Sequence, residues 1–151
     1  MITYQVEKFS EVKPEMEDLI KMHYDEVALH KESIPLDPDW DRYSVMEKNG
    51  ALFIATARND GDLKGYSWFF ISNHIHYKST KVAANDVLFL HPDYRKGTTG
   101  VKLIKFSEEE LKKLDVNKIV WHIKFHKDFR NILYRMGYCD EEVIVGKMLK
   151  D

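Results

Sequence analysis

Leu88-Phe89-Leu90-His91-Pro92-Asp93-Tyr94-Arg95-Lys96-Gly97-Thr98-Thr99-Gly100-Val101-Lys102-Leu103 is the stretch on which the reading of this chain turns. It opens in a strand-like apolar run, Val82 to Leu90, which Pro92 closes. It ends in a helix expected from Thr99 to Leu114. There Val101, Ile104, Leu111 and Leu114 form an apolar stripe, and Glu108, Glu109 and Lys112 are left to water. A strand-to-helix turn leaves backbone N–H groups unpaired at the helix start, and the helix dipole favours an anion there. Gly97 and Gly100 permit close backbone approach, while Arg95, Lys96 and Lys102 add positive charge. Taken alone, these residues fit an anion site and an ordinary glycine-containing turn equally well.

The flanking sequence supplies a sheet for that turn. Ile2 to Phe9 reads as a first strand, and Ser10 as the cap of a helix. Met16, Leu19, Ile20, His23, Tyr24 and Val27 recur at helical spacing, so that helix extends to about Ala28 or His30. Pro35 and Pro38 mark a loop, after which Asp39 caps a short helix carrying Trp40, Tyr43 and Met46 and ending at Asn49-Gly50. Ala51 to Arg58 and Leu63 to Asn73 are strand-like and are joined by the polar turn Asn59-Asp60-Gly61-Asp62. Beyond the Thr99 helix the expectation is a strand from Lys118 to Lys124, a short helix from Asp128 to Met136 and a last strand from Val143 to Leu149. This order predicts a mixed α/β or α+β domain with helices on the faces of one sheet.

Composition narrows the classes. The chain has 151 residues, with 44% hydrophobic and 32% charged, which suits one globular domain spanning residues 1–151. A formal net charge of -2 argues against a nucleic-acid partner held by a basic field. No apolar run has the length of a membrane span, and the start Met1-Ile2-Thr3-Tyr4-Gln5-Val6-Glu7 lacks the pattern of a signal peptide. Cys139 is the single cysteine, so no internal disulfide is expected, and the setting read from this is reducing and cytoplasmic. His74 and His76 share a face if both lie on a strand, but no cysteine or suitably spaced carboxylate joins them, so no metal site is expected. His122 and His126 sit on and just after the strand that begins at Lys118, and either approach the site or face solvent.

Two segments together resemble the GNAT superfamily of N-acetyltransferases. Arg95 and Gly100 match the ends of that family's Gln/Arg-x-x-Gly-x-Gly/Ala signature, with Thr98 at the middle glycine position. Leu133-Tyr134-Arg135-Met136-Gly137-Tyr138 is similar to the family's helix ending in Tyr-x-x-Gly-Phe/Tyr. The resemblance implies a mixed, mostly antiparallel sheet with a splayed strand pair and helices on both faces. It implies acetyl-CoA as co-substrate, with the pantetheine arm along Leu88, Phe89 and Leu90. The pyrophosphate would lie on the segment Arg95, Lys96, Gly97, Thr98, Thr99, Gly100 and Val101. Lys127 stands where the family often has an asparagine, so one cofactor contact is either altered or replaced by a salt bridge to phosphate.

The chemistry that follows is acetyl transfer to a primary amine of a small-molecule or protein acceptor. By the resemblance, Tyr134 is the general acid for the departing thiolate: a phenol of pKa about 10 stays protonated above a thiol of about 8.5. The plainer reading of Tyr134 is a half-buried helix aromatic. Asp86, four residues before Leu90 and thus expected on the face of Leu88 and Leu90, is the candidate base. A structural aspartate is the equal alternative. Trp40, Tyr43 and Trp68 either wall an acceptor pocket or pack in the core. Dimers are common in the family, and a homodimer is compatible with the sequence. A catalytically silent member acting through protein contacts is the competing function.

Overall fold

The strand spacing around Asp60-Gly61 dictates the first hairpin. In the computed structural model, which describes residues 1–150, Asp60 and Gly61 both hold positive φ, at 49° and 94°. Such a two-residue turn matches the twist of the strands it joins. β2 (Leu52–Asn59) and β3 (Asp62–His74) therefore pair antiparallel. β1 (Ile2–Val6) covers the outer edge of β2, and β4 (Tyr77–Leu90) pairs antiparallel with β3. β5 (Lys118–Val120) pairs parallel with β4, giving the sheet order β1-β2-β3-β4-β5.

Two layers of helices sandwich this sheet. α1 (Phe9–Val27) and α2 (Trp40–Lys48) cover one face, where Phe9, Val12 and Met16 pack on Ile54, Tyr66, Trp68 and Phe89. α3 (Thr99–Lys113) covers the other, where Leu103 and Leu111 pack on Phe53, Ala55, Ala57, Phe69 and Ala83. A short α4 (Arg130–Arg135) follows β5. Asp39 caps α2 as its sequence predicts, its carboxylate accepting from Arg42 N–H at 2.9 Å.

Several boundaries differ from the sequence reading. Phe9 is the first residue of α1 and not the end of β1; the cap is Lys8, and Ser10 lies inside the helix. Phe9 enters the helix because its ring is wanted in the core, where it lies 5.9 Å from Trp68, edge to face. β4 begins five residues earlier than expected, at Tyr77 instead of Val82. It pairs out to a His74/Tyr77 hairpin, so His76 sits in the turn. β5 stops at Val120. The expected strand Val143 to Leu149 does not form: Val143, Ile144 and Val145 are exposed without a partner strand among the described residues. A β-branched run supplies propensity, but a ladder also needs a facing edge.

Two local features open the sheet. Trp68 faces Val87 while Phe69 faces Asn85, so Asp86 is the extra residue of a β-bulge. The side-chain amide of Asn85 holds that bulge, donating to the carbonyls of Trp68 and Val87 at 3.1 Å each. β5 pairs with β4 only from Val82 to Ala84. Trp121 then leaves the sheet and packs edge-on against Phe69, Phe129 and Tyr138. From Asn85 to Leu90, β4 has no neighbour on that side among the described residues.

Candidate active site

The opening between β4 and the segment after β5 is a cavity of about 800 Å³ that passes between the two helical layers. Its lining includes Asp86, Leu88, Phe89, Leu90, Arg95, Gly97, Gly100, Val101 and Lys127, all of which the sequence nominates. Lys96, Thr98, Thr99 and Tyr134 are not among the lining residues.

Backbone geometry makes the free edge of β4 a hydrogen-bonding surface. His91 N–H donates to Lys64 C=O at 2.7 Å, which makes Gly65 and Leu90 a non-hydrogen-bonded pair. By the alternation of the ladder, the N–H and C=O groups of Leu88 and Leu90 face the cavity, whereas those of Phe89 serve β3. Phe89 enters the lining through its ring, which stacks on His23 at 5.3 Å. At the mouth, Gly97 takes φ of +90°, a conformation that suits glycine. The first bond within α3 runs from Lys102 N–H to Thr98 C=O at 2.9 Å. Thr99, Gly100 and Val101 therefore present N–H groups with no partner inside the helix. A Cβ at Gly100 would lie 3.7 Å from Leu90 Cδ2, so the turn sits directly against the end of β4.

Asp86 does not share a face with Leu88 and Leu90 as simple alternation predicts. The bulge turns it to the side of Val87 and Phe89, where Tyr43 of α2 donates its hydroxyl to the carboxylate at 2.5 Å. Burial pushes the Asp86 carboxyl above its ordinary range, and the Tyr43 hydrogen bond and the nearby His122 partly offset this. His122 lines the same cavity. Burial, reinforced by the Asp86 carboxylate, drives the Tyr43 phenol upward, so it stays protonated and donating. Of the three aromatics considered for an acceptor wall, Tyr43 reaches Asp86, Trp68 is fully buried in the core, and Trp40 packs against that core.

Tyr134 is placed elsewhere. Phe129 and Ile132 face the cavity and Leu133 is buried. Tyr134 lies about 200° around the helix from Ile132. It is 43% exposed and donates its hydroxyl to Asp140 at 2.7 Å. The structure thus brings Asp86 and the glycine turn to one cavity and leaves Tyr134 outside it.

The site also contains residues to which the sequence reading gave no role. His23 of α1 is buried and its Nδ1 shares a 3.0 Å hydrogen bond with the Tyr66 hydroxyl. Burial lowers its pKa to about 4, so it is neutral at pH 7. One turn on, Glu26 pairs with both Arg95 and Lys127. The Arg95 hydrogen bonds hold its carboxyl below the usual range. A titratable His23 inside an otherwise apolar helical stripe, with Glu26 three residues later on the same face, was the available signal. Among the described residues, no group of three or more His, Cys, Asp or Glu side chains is placed to hold a metal ion. No helix among them is long and apolar enough to cross a membrane.

The chain superposes on a predicted acetyltransferase from Clostridium acetobutylicum solved with acetyl-CoA, with a TM-score of 0.75 at 14% identity over 99% of this chain and 97% of that one. A ribosomal-protein-alanine N-acetyltransferase from Brucella melitensis matches with a TM-score of 0.71 at 16% identity, covering 98% and 99%. Glucosamine-6-phosphate N-acetyltransferase from Arabidopsis thaliana gives 0.72 at 12% identity, covering 99% of each chain. At such identities these likenesses establish the fold. No curated protein matches the sequence. The model of the acetyltransferase (GNAT) family matches residues 14–138. That span runs from α1 through the bulged β4 and the glycine turn to the end of α4, and the chain accordingly belongs to the GNAT acetyltransferase family.

Proposed function

We propose that this protein transfers the acetyl group of acetyl-CoA to a primary amine of a small molecule or a protein. The observation that carries this reading is the bulge at Asp86, which sets a half-buried carboxylate in the cavity that opens onto the glycine turn. The cavity-facing backbone groups of Leu88 and Leu90 suit the amides of a pantetheine arm. The free N–H groups from Thr99 to Val101, with Arg95 and Lys127 nearby, suit its phosphates. Bound there, acetyl-CoA supplies an activated thioester. The chain's own residues do the rest. Asp86 takes the proton that the attacking amine must lose, directly or through water, and its raised pKa makes it a better base than an ordinary carboxylate. A backbone N–H near Leu90 polarises the carbonyl. For the departing thiolate, His122 lines the cavity near Asp86 and Tyr134 does not, which favours His122 as the group that protonates it.

An acceptor screen with acetyl-CoA, reading released thiol, tests the activity and separates an enzyme from a silent binding protein. With an acceptor in hand, Asp86→Asn should lower turnover by about 100-fold or more while coenzyme A affinity is kept. Unchanged turnover would remove Asp86 from the chemistry.

A further inference from the structure

The cations expected to meet the coenzyme's phosphates are already engaged by an anion of the chain itself. Arg95 is fixed at three points. Its Nε donates to Leu90 C=O at 2.7 Å, one of the cavity-facing groups of β4. Its two terminal nitrogens grip the Glu26 carboxylate side by side, Nη2 to Oε2 at 2.6 Å. The guanidinium also lies over the Phe89 ring, 5.6 Å from its centre. Lys127, on the segment before α4, reaches the same carboxylate at 3.4 Å. A further contact joins these elements, with His126 Nε2 lying 3.1 Å from Val27 C=O at the end of α1. Glu26, Val27, Arg95, His126 and Lys127 all line the cavity, together with Gly97, Gly100 and Val101 of the turn. Glu26 is only 19% exposed there, so its charge is poorly screened.

We propose that Glu26 is an internal stand-in for phosphate, holding Arg95 and Lys127 until the coenzyme displaces it, and that it thereby sets coenzyme affinity. This rests on the cofactor site described above. The coenzyme's pyrophosphate offers Arg95 the same two-point geometry as the carboxylate and carries two negative charges to its one, so the exchange is favourable. Once the phosphates are seated, the Glu26 carboxylate lies beside a like charge and must turn away. Its departure also releases the last turn of α1 from the phosphate loop. Glu26 is in this sense a positioning residue: in the empty site it pre-sets Arg95 over β4, and in the occupied site it opposes the ligand.

Calorimetric titration of coenzyme A into the wild-type protein and Glu26→Gln tests this. Wild type should bind, and Glu26→Gln should bind about three- to tenfold more tightly, because the competing charge is gone while the side chain keeps its size. Equal or weaker binding by Glu26→Gln would overturn the proposal and make Glu26 an ordinary support for Arg95. No binding by wild type would overturn the cofactor reading itself, and this proposal with it. A measurement that needs no variant is amide hydrogen exchange at the end of α1, where Ala28 N–H donates to Tyr24 C=O. Coenzyme A should speed exchange there in wild type; slower or unchanged exchange would also overturn the proposal.

Discussion

Asp86 lines the cavity, and Tyr43 of α2 holds it from behind. The carboxylate is raised by burial and restrained by the Tyr43 hydroxyl that donates to it at 2.5 Å. In the proposed role of base, Asp86 works only when ionised, so activity should fall as pH drops through its raised pKa. Tyr43→Phe removes a stabiliser of the ionised form, so the acidic limb of the kcat/KM profile should move to higher pH. Turnover well above that limb should stay within about threefold of wild type. A limb that stays in place or moves to lower pH in Tyr43→Phe would mean that the hydrogen bond does not tune the base.

At the scale of elements, the bulge and the early end of β5 have more effect than any single side chain. One extra residue in β4 turns Asp86 toward α2, and three paired residues leave the rest of β4's edge open. The rotation of α4 matters in the same way. Phe129, Ile132 and Leu133 occupy its inward side, so Tyr134 must point out toward Asp140. Tyr134→Phe is therefore expected to leave turnover within about twofold of wild type. A loss of tenfold or more would return the acid's role to Tyr134 and would require α4 to turn when the cofactor binds.

For the molecule as a whole, His23 couples the site to acid stability. It is buried against Tyr66 and Phe89 and stays neutral in the fold, with its pKa lowered to about 4. In the unfolded chain it takes up a proton below its ordinary value of about 6.5. Stability is thus unaffected at pH 7.5 and is lost as pH falls from about 6.5 toward 4. The loss attributable to His23 at pH 5 is about 2 kcal/mol. Urea unfolding of wild type and His23→Gln at both pH values checks this. The stability difference between the two proteins should change by roughly that amount, in favour of the variant at pH 5. A difference that stays constant with pH would show that His23 is not the group responsible.

The sequence by itself determined the alternation of strands and helices and the glycine turn from Arg95 to Val101. Each of these is local: hydrophobic period, proline and glycine act within a few residues of where they are read. Tertiary structure alone decided which way Asp86 and Tyr134 point and whether Val143 to Leu149 forms a strand. A bulge is visible only in the pairing of two strands, here where Trp68 faces Val87 and the next residue, Phe69, faces Asn85. The outward turn of Tyr134 follows from which face of α4 the core claims, and the missing strand from the lack of a facing edge. The turn quoted at the outset marked a place for an anion, but only the fold revealed that Glu26, some seventy residues earlier, already holds the cation beside it.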